Sequence, residues 1–426
     1  MVGFWVKASD KKMAAFWALA FALLFVACSN DDNGFVSVNP IGGESCAAIE
    51  ESSSSDYALS SSIVASSSSA NELVAITTTV MEDTLEIFAF GGVKLDVVAD
   101  SFLTKFDYGD VVTVMIAGYD TVDVPVVAGY GYVFPGEFFL YVSEGLNYIK
   151  LEARYGQMAE VGGLERGLTF PIDVVVQMKE KGGYVDHLEN LKSLTLAYSP
   201  ESYPDLSIEE FANFRMVRTT GMGEGVLYRS SSPIDPSIYR NAIADSLAAL
   251  AGVKTFLNLA DDKRYAEEYN GFAESYYATQ NVVYLTVDPT FANTLFKEGL
   301  VKGLRYMIEH DGPYLVHCTY GMDRTGFTIA VLEALMGATA DEIKADYATT
   351  HKNFYNVVDG KYIGLTEKQV ELLQAIIVRL MQNSFKTAGV DISNFENVDL
   401  ASATEKYLFA LGMEKSEIEA LRDRLK

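Results

Sequence analysis

Positive charge is what this sequence has least of. Its 33 Lys and Arg stand against 58 Asp and Glu, a formal net charge of −25. A chain that acidic argues against nucleic-acid binding, which needs basic side chains to neutralise phosphates. It also works against long-range attraction of any phosphorylated molecule, so an anion site must be built locally. Cysteine is scarce too, with three in 426 residues. Cys28 follows an apolar run, Cys46 lies in a Gly/Ser-rich stretch, and Cys318 stands alone in the folded body. No disulfide framework can be read from that distribution. The four histidines show no metal-ligand spacing, so no metal is expected. Long apolar runs are missing as well. Residues 13–27, MAAFWALAFALLFVA, fall short of the roughly 20 apolar residues of a comfortable bilayer span.

What is present divides the chain into parts. Lys7, Lys11 and Lys12 precede the apolar run, which has the length of a signal-peptide core. Its end, Val26-Ala27-Cys28, resembles a bacterial lipoprotein signal, with Phe25 where such signals usually carry Leu. The resemblance implies removal of residues 1–27 and lipidation of Cys28. The protein would then be exported and held extracytoplasmically on a membrane. An ordinary cleaved signal also implies export. Residues 28–72 are a tether whose serine runs cannot bury enough surface to fold. From 73 to 182, short β-branched and aromatic runs alternate with turn signals such as GG, FPGE and EGLN, which predicts a small all-β sandwich or barrel. Residues 183–204 read as a linker.

From 205 to 426, strands alternate with helical runs, predicting an α/β domain with a mostly parallel sheet, flanking helices and a helical end. Ser207 with Glu210, Thr339 with Glu342, Thr366 with Gln369, and Ser416 with Glu419 have the spacing of capping boxes. Residues 314–327, YLVHCTYGMDRTGF, place a cysteine where a strand ends and a helix begins. In such sheets ligands sit at the carboxyl ends of strands. Amides at a helix start are unpaired and carry partial positive charge, which suits an anion. Gly321 permits the backbone twist that turns successive amides inward. Gly326 lets the first helical turn pack closely. Arg324 offers a planar fork for two phosphate oxygens. Cys318, beside this positive end, is placed to react as its thiolate. Thr325 could donate to the sulfur and ease a hydrolytic second step.

Cys-x5-Arg-Thr, preceded by His317 and with glycine at the third x, resembles the signature of cysteine-dependent protein tyrosine phosphatases. The longer HCxxGxDRTG is similar to the bacterial tyrosine/lipid phosphatase branch. Residues 211–234, with FANFRMV and LYRSSSPI, and residues 256–262, FLNLADD, resemble upstream segments of that branch. The resemblance covers about residues 205–390. It implies a tyrosine-phosphatase-like fold and hydrolysis of a phosphomonoester through a phosphocysteine on Cys318, with Arg324 clamping the phosphate. No metal or cofactor is implied. Thr319, Tyr320, Gly321, Met322 and Gly326 would line the phosphate. His317 would orient the loop and tune Cys318. The fold supplies a general acid from a loop upstream of the cysteine, where Asp288 sits. Asp323, inside the signature, competes for that role. Arg229 would pair with an acid near the site, and Asn213 and Arg215 would be structural.

Two departures bear on the substrate. Met322 stands where many members carry a lysine that helps bind a second phosphate, and Tyr320 where a small or acidic residue is common. Met322 cannot bind that second phosphate, which counts against a phosphoinositide or inositol phosphate; that substrate class is the alternative to phosphotyrosine, and a catalytically weak phosphate-binding or surface interaction protein is a further one. Asp261 and Asp262 read as a solvated loop end, and His310 and His351 as surface residues without partners.

Overall fold

The computed structural model describes residues 35–36, 74–81, 92–134, 136–154 and 170–426. The leader, Cys28, most of the tether with Cys46, and parts of the 73–182 stretch lie outside the described residues. No helix among the described residues is long and apolar enough to cross a membrane.

The first sheet is built from Ala75–Thr79 (β1), Val93–Leu95 (β2), Val111–Ile116 (β3), Val122–Val127 (β4), Phe138–Tyr141 (β5), Ile149–Ala153 (β6) and Asp173–Glu180 (β7). Its order is β1-β7-β3-β4-β5-β6-β2. The alternation along β3 carries the logic: Val112, Val114 and Ile116 are buried while Val111, Thr113 and Met115 are only partly covered. A bridge from Val80 to Leu95, flanked by bonds from the Met81 amide to the Lys94 carbonyl and from the Asp96 amide to the Thr79 carbonyl, both 2.9 Å, joins the two end strands. The sheet thereby closes around its own apolar core of Val, Ile, Leu and Phe. The stretch after it holds the helix Val185–Lys192 (α1), whose Leu188 and Leu191 pack on Val127 and Phe139 of the first sheet and on Tyr132 in the turn between their strands.

The second sheet has five strands, Arg215–Met216 (β8), Leu227–Ser230 (β9), Thr255–Asn258 (β10), Asn281–Tyr284 (β11) and Tyr314–His317 (β12), in the order β8-β9-β12-β10-β11. All pairs are parallel except the edge pair of β8 with β9. Its helices include Asn241–Leu250 (α2), Thr294–Glu309 (α3), Asp323–Met336 (α4), Ala340–Lys352 (α5), Glu367–Lys386 (α6), Leu400–Ala410 (α7) and Lys415–Arg424 (α8). β10 and β12 are buried along their whole length, as expected of a parallel sheet covered on both faces. α4 is buried nearly all round, which is why its sequence shows no polar face. It ends on Gly337 at φ 99°, a left-handed stop that favours glycine. The capping boxes at Ser207, Thr339 and Thr366 are formed. The last one is not where expected: α8 starts at Lys415 and is capped by Glu414 with Glu417, so Ser416 falls inside the helix. A glutamate oxygen performs the same acceptor role from a longer side chain, and the spacing rule for Ser misses it.

Register sets the site. Ser230, His317, Asn258 and Tyr284 lie abreast at the carboxyl ends of four adjacent strands. Cys318 follows from β12, in the middle of that row.

Candidate active site

Three carbonyls of the loop after Cys318 are held from outside. The Thr319 carbonyl accepts from the Ser232 amide at 3.0 Å. The Tyr320 carbonyl accepts from Asn213 Nδ2 at 3.2 Å, and the Gly321 carbonyl from Arg229 Nη2 at 2.8 Å. In a trans peptide the following N–H points the opposite way, so the amides of Tyr320, Gly321 and Met322 turn toward the concave side. Gly321 sits at φ 67°, and a Cβ there would lie 2.1 Å from the Ser230 carbonyl oxygen, so only glycine fits. α4 then begins at Asp323, with Met322 at its N-cap and no side chain occupying the first amides. A Cβ on Gly326 would come within 2.6 Å of the Tyr347 ring, which confirms the close packing of the first turn.

The reactive groups sit in and around this cradle. Cys318 is a free, buried thiol, 3 % exposed. Arg324 is half-buried, and its Nη1 donates to the Val287 carbonyl at 3.2 Å. No carboxylate among the described residues forms a salt bridge with it, so its charge is available to an anion. Thr325 is fully buried, and its hydroxyl has no partner among the described residues. His317 is fully buried, and Nε2 lies 3.2 Å from the Tyr277 hydroxyl. Burial, with Arg324 adding to it, drops the imidazole to about 3. His317 is therefore neutral at physiological pH and adds no charge to the loop.

The two candidate acids occupy different surroundings. Asp288 is exposed, one residue beyond the Val287 carbonyl that Arg324 holds, and its Oδ1 accepts from the Thr290 amide at 3.0 Å and from the Thr290 hydroxyl. Asp323 is half-buried and tied to the Tyr347 hydroxyl at 3.0 Å. Met322 is buried at 8 % exposure against Ile238 and Phe354. Tyr320 leans on Phe354 and shares a hydrogen bond with the Tyr198 hydroxyl at 2.8 Å. Both thus form the wall of the loop.

Behind the cradle lies a buried ionic cluster in which the missing member is Asp346 of α5. Arg229, fully buried, pairs with Asp346 Oδ2, and Arg215 Nε donates to Asp346 Oδ1 at 2.8 Å. Arg215 also reaches Asn213 Oδ1 at 2.7 Å. Burial works against the Asp346 charge, but the two guanidiniums hold its carboxyl at about 2. The sequence signal for Asp346 was the pair of arginines itself, since two buried cations require an anion. Nearby, burial pushes the Glu333 carboxyl well up.

Two readings need correction. Asp261 is buried at 7 % exposure, because its backbone bends back to Asn258 and its carboxylate accepts from Asn258 Nδ2 and the Tyr269 hydroxyl. Only Asp262 is the exposed end, capping a short helix. His351 is buried at 2 % exposure between Tyr347 and Tyr355, and burial drops it to about 4. His310 is half-buried and stacked on Tyr306. No group of acidic, His or Cys side chains among the described residues could hold a metal ion.

Residues 207–426 match the model of a family described as "Tyrosine phosphatase family". Among curated proteins none matches the sequence. Solved structures that resemble part of the chain include an uncharacterized conserved protein from Thermotoga maritima, at 18% identity and TM-score 0.20, covering 24% of this chain and 35% of that one. TpbA of P. aeruginosa is 19% identical with TM-score 0.26, over 43% of this chain and 88% of that one. A cysteine-to-serine variant of TpbA in complex with pTyr is 18% identical with TM-score 0.27, over 43% and 94%. Overlaps this limited leave the family match as the finding that places the chain.

Proposed function

The chain belongs to the tyrosine phosphatase family and is a cysteine-dependent phosphatase, and from that premise we propose that it hydrolyses single phosphate esters of aromatic alcohols, phosphotyrosine foremost, through a phosphocysteine on Cys318. The observation that carries this is the loop with its carbonyls drawn outward, with a cysteine and an arginine that has no carboxylate partner among the described residues at its two ends. The Cys318 sulfur attacks phosphorus, and the ester oxygen leaves with a proton from Asp288. Arg324 and the loop amides hold the non-bridging oxygens, which is where transition-state charge must be stabilised. Water then attacks the phosphocysteine, releasing inorganic phosphate and the thiolate, with the Thr325 hydroxyl, which has no partner among the described residues, free to donate to the departing sulfur. Asp288 is preferred as the acid because it is exposed and follows Val287, whose carbonyl Arg324 holds, whereas Asp323 is half-buried against Tyr347.

The choice of a single phosphate rests on Met322. Its side chain is packed into an apolar cluster, so the loop offers no second cation there. The closed first sheet supports reading residues 73–182 as a separate small all-β domain. The leader and Cys28 support export and a lipid anchor. With an aryl phosphate, Cys318→Ser is expected to abolish turnover. Asp288→Asn should lower kcat about 10²-fold or more on poor leaving groups and less on p-nitrophenyl phosphate. Full activity of Cys318→Ser would overturn the mechanism. Preference for a polyphosphorylated inositol ring in a substrate panel would overturn the Met322 argument.

A further inference from the structure

The segment just ahead of the residues that match the family is built into the wall of the cradle. Leu196 and Tyr198 pack on a patch of three buried residues, Ile238, Met322 and Phe354. The backbone of Leu196 bridges to Tyr355. The Thr195 amide donates to Asn356 Oδ1 at 3.2 Å, and its hydroxyl to the Val357 carbonyl at 2.5 Å. Asn356 Nδ2 in turn donates to Gln369 Oε1 at 3.1 Å, and Gln369 Nε2 to the Ser193 hydroxyl at 2.8 Å. Asn356 and Gln369 are both buried, so these bonds satisfy groups that water cannot reach. The Tyr203 hydroxyl lies 2.7 Å from the Ala197 carbonyl and 2.6 Å from the Phe354 carbonyl. Phe354 is held as well by the guanidinium of Arg240, fully buried, 3.7 Å from its ring centre. Residues 193–203 thus form a fixed strap against residues 354–357.

From that strap the Tyr198 hydroxyl meets the Tyr320 hydroxyl at 2.8 Å, and the Tyr320 ring stands edge-on to Phe354 with centres 5.7 Å apart. Tyr320 is the second residue after Cys318, and its carbonyl is held on the outer side of the loop. Its side chain is half-buried, covered in part by Phe354 and Tyr198. The outer side of the loop is closed by Ser230, Ser231 and Ser232, all fully buried, so the uncovered part of Tyr320 lies at the mouth of the cradle. We infer that Tyr198 is a positioning residue that sets substrate specificity: by bonding to Tyr320 it fixes a phenol ring at the mouth, against which the ring of phosphotyrosine is held. A ring fixed before the substrate arrives need not be ordered on binding. Two aromatic rings attract edge to face or offset. Arg324 and the loop amides hold the phosphate, so Tyr198 acts on the ring of the ester and not on its phosphate. The inference rests on reading the loop as a phosphotyrosine cradle.

The test is titration calorimetry of the full chain carrying Cys318→Ser, with phosphotyrosine and inorganic phosphate as separate ligands. Adding Tyr198→Phe removes one hydroxyl and keeps the ring. Phosphotyrosine affinity is expected to fall about three- to tenfold, the loss of one hydrogen bond, while phosphate affinity stays the same. An unchanged phosphotyrosine affinity, or an equal loss for both ligands, would overturn the inference. If Tyr198→Phe does not fold, Tyr320→Phe removes the other half of the bond and should split the two ligands in the same way. The double variant should lose no more than either single one, because both act through one bond; losses that add would show two separate contacts and count against it. In the chain with its cysteine, Tyr198→Phe should raise KM for phosphotyrosine and leave kcat. A wild type that turns over no aryl phosphate but shows the calorimetric split would sink the phosphatase mechanism alone. An active enzyme without the split would sink the role of Tyr198 alone.

Discussion

His351 shows how a single buried side chain makes stability depend on pH. Its folded value lies at about 4, below its ordinary 6.5, because burial penalises the charged ring. The unfolded chain therefore takes up the proton first as pH falls. The stability that neutral His351 contributes is complete above about pH 6.5 and is lost as pH drops from there toward 4. Other groups titrate in the same range, Glu333 in the opposite sense, so the effect is read as a difference. Replacing His351 by Gln removes the titration. The gap in urea midpoint between wild type and His351→Gln is expected to narrow between pH 7 and pH 5; a gap of constant size would show that His351 does not titrate on unfolding. At this scale the sequence marks the residues of the loop and says little about what supports them. Cys318, Gly321 and Arg324 were legible because each has a steric or electronic reason visible in one short segment. Asp261 and His351 were not, because burial depends on what folds over a residue. Nothing local distinguishes an aspartate after a strand that solvates from one that turns back onto Asn258.

At the scale of elements, the ionic cluster joins β8, β9 and α5 to the catalytic loop through Arg215, Arg229, Asp346 and Gly321. Replacing Asp346 with Asn would leave two buried guanidiniums without their anion. Breaking such a pair on one side typically costs about 3–5 kcal/mol. Chemical denaturation of Asp346→Asn is expected to show a loss of that order, and activity should fall even where the protein folds, since the Gly321 carbonyl loses a fixed partner. A loss below about 0.5 kcal/mol would mean that the cluster is a solvated surface pair. The elements themselves were largely legible. Capping signals located α5 and α6, and the strand-to-helix step at Cys318 located β12 and α4. α1 was missed as a helix because its segment has few apolar residues, only Leu188 and Leu191 of it being buried. The Ser416 cap failed because Glu414, two residues earlier, forms the box with Glu417.

For the whole molecule the dominant number is the net charge of −25. A substrate dianion approaches against this field until it reaches Arg324 and the loop amides. Salt shortens the reach of the repulsion from roughly 30 Å at 0.01 M to about 10 Å at 0.1 M. kcat/KM for a dianionic aryl phosphate is therefore expected to rise several-fold between those ionic strengths. A fall would point to a basic approach path that outweighs the acidic total.

The outward ties of the catalytic loop also have a history in time. The bond from Arg229 to the Gly321 carbonyl spans 92 positions, and the pair of Arg229 with Asp346 spans 117. Contacts between such distant chain positions repay their closure entropy only after most of the domain has assembled. The cradle is thus a late product of folding. Helix signal should return first on dilution from denaturant, and turnover should lag behind it, so that the enzyme gains its reactivity only once the chain around it is finished. Coincident recovery of the two signals would place the loop in the folding nucleus instead.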